Sequence, residues 1–183
     1  GYGFLSENAD FAQACADAGI TFAGPAPEVL RRFGDKQAAR AAAVECGLDV
    51  LAATDGAADL ARIREFAGRC PGGVMLKALA GGGGRGMRPV TGDADLDAAF
   101  RSAVAEAELG FGDGRVFAEE LLTGGRHIEV QVVGDGAEAV AVGDRDCSVQ
   151  RRRQKLIEVA PAPGLGDGLR TRLHDDAARL VAA

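Results

Sequence analysis

An α+β organisation that begins in an α/β layer is expected of this chain on three observations. Residues 8–33 read in the order helix, strand, helix, which suggests the end of an α/β layer. The apolar run Val74-Met75-Leu76-Lys77-Ala78-Leu79-Ala80 ends in four glycines, and the next element reads as a short strand rather than a helix. Finally, residues 126–134 alternate apolar and polar positions and are followed by Asp135-Gly136, a hairpin turn signal.

Each element has a local reason. Phe11, Ala14, Cys15 and Ala18 recur at helical spacing over residues 8–18, and Gly19 is a natural C-terminal stop. Residues 20–24 form a short apolar run expected to be a buried strand, after which Pro25-Ala26-Pro27 opens a helix through Phe33. Asp35 is a plausible N-cap for an alanine-rich helix over 36–46, closed by Gly47. From about residue 51 the pattern predicts a helix at 57–68, strands at 73–79 and 87–91, a helix at 94–108 and a strand at 115–121. These make a compact unit, small enough to move on a joint at Thr123-Gly124-Gly125. Strands at 126–134 and 139–143 form a hairpin, and a last helix over 168–182 shares Leu169, Leu173, Ala177 and Leu180 on one face.

The glycine segment carries the most chemistry. A backbone without side chains can lay its N–H groups against a polyphosphate, and Lys77 supplies a matching charge. Gly81, Gly83 and Gly86 satisfy G-x-G-x-x-G, but a dinucleotide site needs a helix to open there. A P-loop would need Gly-Lys-Ser/Thr where this chain has Gly-Arg-Gly-Met. A glycine loop joining two antiparallel strands, with its lysine on the first, belongs to lids that fold over ATP; the alternative is a hairpin tip that binds nothing.

In the second hairpin, His127, Glu129 and Gln131 fall on the face opposite Ile128, Val130 and Val132, where they either meet a ligand or stand in solvent. The basic segment Gln150-Arg151-Arg152-Arg153-Gln154-Lys155 could in isolation be a nucleic-acid patch. The chain carries 21 basic and 27 acidic residues, a net charge of −6, which favours neither nucleic acid nor an anionic membrane. A compact anion such as phosphate or bicarbonate suits the cluster better. Cys15, Cys46, Cys70 and Cys147 are widely spaced, with no metal-binding pattern and no disulfide framework, as expected of reduced thiols in the cytoplasm. No run approaches the about 20 apolar residues that span a bilayer. The chain lacks an initiator methionine and ends within a helical pattern, so it is expected to be a fragment.

Taken in order, Gly1-Tyr2-Gly3-Phe4-Leu5-Ser6-Glu7-Asn8, Gly34-Asp35-Lys36, Lys77 with residues 81–87, Arg126-His127-Ile128-Glu129-Val130-Gln131, Arg145-Asp146-Cys147-Ser148, Gln150-Arg151-Arg152 with Gln154-Lys155, and Glu158-Val159-Ala160-Pro161-Ala162-Pro163 resemble the biotin carboxylase component of biotin-dependent carboxylases. Acyl-CoA carboxylase alpha subunits are one example of this branch of the ATP-grasp ligases. The resemblance implies a partial ATP-grasp fold with a glycine-loop lid. Residues 1–33 would end the N-terminal α/β domain, and 34–183 would be a truncated ATP-grasp domain with its lid at about 51–121.

The implied reaction activates bicarbonate with ATP as carboxyphosphate and transfers the carboxyl group to biotin on a carrier domain. By motif position, Lys36 and Lys77 contact ATP phosphates, and Gly82, Gly83 and Gly84 close over them beside Met87. Glu119, Glu120, Leu121 and Leu122 match the strand that holds the adenine, with Glu120 at a position often filled by lysine. His127 and Gln150 lie around the nucleotide. Lys155 matches the bicarbonate-binding lysine, and Arg153 replaces a histidine or asparagine in the same catalytic segment. Tyr2 lies in a motif near the biotin pocket. Magnesium is implied as a cofactor with its ligands beyond Ala183, as are the general base and the arginines for the biotin enolate, so these 183 residues alone are expected to be inactive. A carboxyltransferase and a homo-oligomeric full-length form are implied as well. The competing readings are another carboxyphosphate-forming ligase, such as a carbamoyl phosphate synthetase half, and a non-catalytic ATP-binding fragment. The Arg-Asp-Cys-Ser and Glu-x-Ala-Pro-Ala-Pro segments favour the carboxylase.

Overall fold

The computed structural model describes residues 3–80, 86–92, 96–151 and 154–182. They fall into two compact units, Gly1–Ala41 and Ala42–Ala183.

In the first unit, α1 (Ala9–Asp17) starts where the Asn8 side chain accepts the Phe11 N–H at 2.7 Å. It ends in a Schellman motif: Gly19, at φ +68°, donates to Ala16 O, and Ile20 donates to Cys15 O at 2.8 Å. The expected strand at 20–24 is absent. Among the described residues of this unit there is no strand for it to pair with, and Ile20 is exposed. Phe22 instead lays its ring edge-on to Phe11, centroids 6.1 Å apart. Helix α2 (Pro27–Gly34) begins with proline at its first turn, as expected. In α3 (Lys36–Glu45), Asp35 Oδ1 accepts from Gln37 N and Ala38 N at 2.8 and 2.9 Å, which is the expected cap. A second Schellman motif at Gly47 closes it.

The second unit contains two three-stranded antiparallel sheets. Helix α4 (Leu60–Ala67) starts three residues later than its pattern suggested, because Asp59 caps it through Arg62 N. Strands β1 (Val74–Ala78) and β2 (Met87–Val90) precede α5 (Leu96–Phe111), which runs three residues past its expected end, and β3 (Val116–Glu120) completes a sheet of order β2-β1-β3. Val74, Leu76 and Ala78 face α4 and α5 and join Ile63, Phe66, Leu96, Ala103 and Val116 in one core. Full burial of a residue such as Ile63 or Leu76 contributes about 1.5–3 kcal/mol. Two glycines are required here. Gly73 (φ +96°) would place a Cβ 2.4 Å from Val90 O, and Gly86 (φ +66°) would place one 2.9 Å from Ala78 Cβ. Gly86 O accepts the Ala78 N–H at 2.8 Å, closing the ladder below the glycine run.

The second sheet, of order β4-β5-β6, is built from β4 (Ile128–Gly134), β5 (Ala139–Arg151) and β6 (Gln154–Val159). The Asp135-Gly136 turn forms as expected, with Asp135 Oδ1 accepting from Ala137 N and Glu138 N. Strand β5 continues eight residues beyond its expected end, and β6 was not foreseen. Helix α6 (Asp167–Ala182) packs on β5 and β4. Its inward face is the expected one in part. Leu173, Ala177 and Leu180 are half-buried, whereas Leu169 is exposed and Arg170 and His174 turn inward.

Candidate functional site

Strand alternation and register build the first part of the site. Lys77 stands opposite Met87 on β2 and Phe117 on β3, while Met75 stands opposite Pro89 and Glu119. Directly opposed residues of an antiparallel pair share a face, so Met75, Lys77, Met87, Phe117 and Glu119 lie together, opposite the face that packs on α4 and α5. Lys77 Nζ donates to Glu119, and both side chains are largely shielded, at 18% and 16% exposed. Phe117 is buried and was not singled out from sequence; its alternation with Glu119 was the available signal. Apolar Met75, Met87 and Phe117 around one ion pair make a surface suited to a flat, partly apolar ligand with an anionic tail.

The end of β3 is anchored through its backbone. Glu120 N donates to Ala52 O at 2.8 Å and Leu121 N to Gly73 O at 3.1 Å, while the Glu120 and Leu122 side chains are exposed. Lys36 lies half-buried in the first turn of α3. Tyr2, Gly82, Gly83, Gly84 and Arg153 lie outside the described residues, so the expectations placed on them are not addressed by the geometry.

On the second sheet the alternation read from sequence does gather His127, Glu129 and Gln131 on one face. Glu129 is opposite Arg145, with Cys147 two residues further along. Glu129 accepts from Lys155 and lies 3.3 Å from Arg145 Nη2 and 3.3 Å from His127 Nε2. Arg145 also donates to Gln131 Oε1 at 3.0 Å and lies 3.5 Å from Glu158. Gln150 Nε2 donates to Cys147 O at 2.8 Å and sits 2.8 Å from His127 Nδ1. Because an amide nitrogen only donates, His127 Nδ1 is the acceptor, which leaves its proton on Nε2, facing Glu129.

The electrostatics follow from these contacts. The Lys155 ammonium holds the Glu129 carboxyl below the ordinary carboxylate range, and Glu129 in turn raises Lys155. The Arg145 guanidinium is pushed further up by the same carboxylate. Burial, with Glu129 beside it, raises the Cys147 thiol, so Cys147 stays protonated and is a packed neighbour of the site rather than a nucleophile.

The opposite face of the second sheet holds residues that sequence reading missed. Asp144 is 3% exposed, yet its Oδ1 accepts the Ala162 N–H at 2.7 Å and its Oδ2 meets Arg170 Nε at 2.8 Å and His174 Nε2 at 2.9 Å. Arg126 donates to Asp146 Oδ2 at 2.8 Å and to Pro163 O at 2.5 Å. Ser148 and Arg126 together hold the Asp146 carboxyl at about 2. The signal available for Asp144 was an acid that alternates with Arg145 and shares its strand face with Asp146.

Among the described residues, no group of three or more His, Cys, Asp or Glu side chains gathers as a metal cage. No helix among them is long and apolar enough to cross a membrane.

Comparison with known proteins agrees with this geometry. Residues 1–30 match the biotin carboxylase N-terminal domain, and residues 35–183 match the family described as carbamoyl-phosphate synthase L chain, ATP binding domain. The chain is 50% identical to pyruvate carboxylase 1 of Caenorhabditis elegans over 183 residues, which is 99% of this chain and 16% of that protein. A crystal structure of a Campylobacter jejuni biotin carboxylase–βγ-ATP complex superposes with a TM-score of 0.95 at 46% identity, covering 100% of this chain and 41% of that one. The biotin carboxylase domain dimer of Hydrogenobacter thermophilus 2-oxoglutarate carboxylase, in complex with MgADP, ADP and bicarbonate, gives 0.94 at 37% identity, again over 100% of this chain and 41% of that one. The chain thus spans about two-fifths of the biotin carboxylases it superposes on and a sixth of the pyruvate carboxylase. It belongs to the biotin carboxylase domain family, with the ATP-grasp fold of that family.

Proposed function

We propose that this chain supplies the nucleotide-binding lid and the anion-facing sheet of a biotin carboxylase, which uses ATP to activate bicarbonate as carboxyphosphate and passes the carboxyl group to biotin on a carrier domain. The observation that carries the reading is the pairing of two cation sites on two sheets: Lys77 on the apolar face of the first, and Lys155 with Arg145 on the polar face of the second. Residues 34–183 are read as the ATP-grasp domain, 51–121 as its lid and 1–33 as the end of the preceding α/β domain.

Each residue then has a role. Met75, Met87 and Phe117 give the base an apolar surface, and Glu119 exchanges its bond to Lys77 for the nucleotide as Lys77 turns to phosphate. The Glu120 carbonyl and Leu122 N–H are the backbone groups for the adenine edge, since Glu120 N and Leu121 N are already committed. Lys36 and the glycines 82–84 add to the phosphate cradle. Lys155 has three N–H donors and gives one to Glu129, so it keeps donors for bicarbonate. Arg153 assists on the same segment. His127 and Gln150 border the nucleotide, and Tyr2 borders the biotin pocket. Phosphoryl transfer rests on positioning and charge neutralisation, which lysines on rigid strands provide; Mg2+, when bound, would add to that charge neutralisation.

The domain resembles carboxylases of different acceptors, pyruvate at 50% identity and 2-oxoglutarate at 37%. The acceptor is therefore chosen elsewhere, by a carboxyltransferase domain or subunit, and an acyl-CoA remains open to this chain as well. Reduced cysteines suit the cytoplasm, and a dimer or larger assembly suits the whole enzyme.

The test is phosphate release from ATP by the carboxylase carrying this chain, with and without bicarbonate and biotin. Release that depends on both and falls at least 100-fold in Lys155→Gln supports the proposal. Release indifferent to bicarbonate would overturn it.

A further inference from the structure

Behind the bicarbonate-facing sheet lies a buried arrangement to which the reaction gives no part. One oxygen of Asp144 and the guanidinium of Arg170 grip the peptide groups of one residue: Asp144 Oδ1 accepts the Ala162 N–H at 2.7 Å, and Arg170 Nη2 donates to Ala162 O at 2.7 Å. Asp144 and Arg170 are themselves joined at 2.8 Å, and His174 closes the fourth side at 2.9 Å. The Ala162 side chain is buried, and Arg126 takes the next carbonyl, Pro163 O. The segment leaving β6 is thus held on both of its polar edges against the back of β5.

That clamp has consequences for the front of the sheet through strand geometry. Asp144 and Arg145 are consecutive on β5, so their side chains leave opposite faces, and fixing one fixes the other. Val159, which ends β6, pairs with Asp146, and three residues later comes the clamped Ala162. Glu158, one residue before the end of β6, reaches Arg145 at 3.5 Å, and Lys155, further back on β6, reaches Glu129. Strand β6 is otherwise exposed along its length, and β5–β6 carries register shifts on either side of Val149, so its pairing is loosely specified by itself.

We propose that Asp144 and Arg170 are positioning residues for the reaction. By clamping Ala162 they set β6 on β5, and so hold Lys155 and Arg145 at the spacing that receives bicarbonate. Neither residue touches a substrate. The inference rests on the reading of Lys155 and Arg145 as anion-facing cations.

The test uses Asp144→Asn, which keeps the acceptor for Ala162 N–H and removes the charge that orders Arg170, together with Arg170→Lys, which keeps the charge and loses the fork. In the carboxylase carrying this chain, both should raise KM for bicarbonate tenfold or more while KM for ATP stays within twofold of wild type. In hydrogen exchange, amides of β6 should exchange at least tenfold faster while those of β1 and β3 keep their rates. Unchanged bicarbonate KM with slow β6 exchange would overturn the proposal, as would an equal rise in both KM values or failure of both variants to fold, each of which marks a purely structural role. If the wild type shows no bicarbonate-dependent turnover, it is the carboxylase reading that fails, and the exchange of β6 alone then decides the clamp.

Discussion

Gly86 is where fold and function meet most tightly, and Gly86→Ala gives a prediction with separable parts. Its φ of +66° is left-handed, which costs an alanine about 1–2 kcal/mol. The added methyl would stand 2.9 Å from Ala78 Cβ and 3.1 Å from the Phe111 ring, inside contact distance of groups packed on the core. Such overpacking costs about 1–3 kcal/mol. Loss of unfolded-state freedom returns about 0.4–1 kcal/mol, so the net loss should be about 2–4 kcal/mol. Gly112 has nearly the same backbone, φ +70°, but nothing within 4 Å of its would-be Cβ. Gly112→Ala should therefore lose only about 1 kcal/mol, from the backbone alone. Urea denaturation followed by far-UV circular dichroism measures both. The Gly86 variant should also bind nucleotide more weakly, because the ladder bond from Ala78 N to Gly86 O positions Lys77 opposite Met87. Equal losses for the two variants would refute the close approach, and with it the claim that this glycine sets the β1–β2 strand pair.

Other outcomes rest on named contacts. Ile63→Ala, at a site with no exposure, should cost about 2–5 kcal/mol in the same denaturation experiment, whereas Leu169→Ala on α6 should cost under about 0.5 kcal/mol. Asp35→Ala removes both bonds of the α3 cap and should cost about 1 kcal/mol, with faster amide exchange at Gln37 and Ala38. The Asp146 carboxyl lies at about 2 in the folded protein against an ordinary 3.8, so its contribution is complete above 3.8 and is lost as pH falls toward 2; Asp146→Asn should flatten the acid limb of the stability profile there. Glu129→Gln removes the partner that raises Lys155, so the Lys155 amine should titrate at lower pH than in wild type, as read by NMR of its side chain.

The elements that were legible from residues alone were those with a local cause. Asn8 and Asp35 cap helices through their own side chains, Gly19 and Gly47 close them in left-handed turns, and Asp135-Gly136 folds a hairpin, all within a few residues. The face shared by His127, Glu129 and Gln131 was legible for the same reason, since alternation alone sets it. Strand β6 and the far half of β5 were not, because hydrophobic periodicity fails where both faces are polar: Arg145 is paired in front, and Asp144 is buried behind by partners 18 to 30 residues away. The misplaced strand at 20–24 shows the converse, an apolar run with no strand to pair with among the described residues of its unit. Helix α6 and most of its apolar face were legible too, but not Arg170 and His174, which point inward toward a carboxylate that the pattern of leucines does not reveal.

The central claim is that Lys77 and the strands around it receive ATP. Amide exchange across residues 77–90, measured during an ATP titration of wild type and Lys77→Gln, tests it most directly. The account predicts saturable protection of this segment in the wild type, with at least a tenfold weaker midpoint in the variant. No protection at any ATP concentration, or the same midpoint in both proteins, would contradict it.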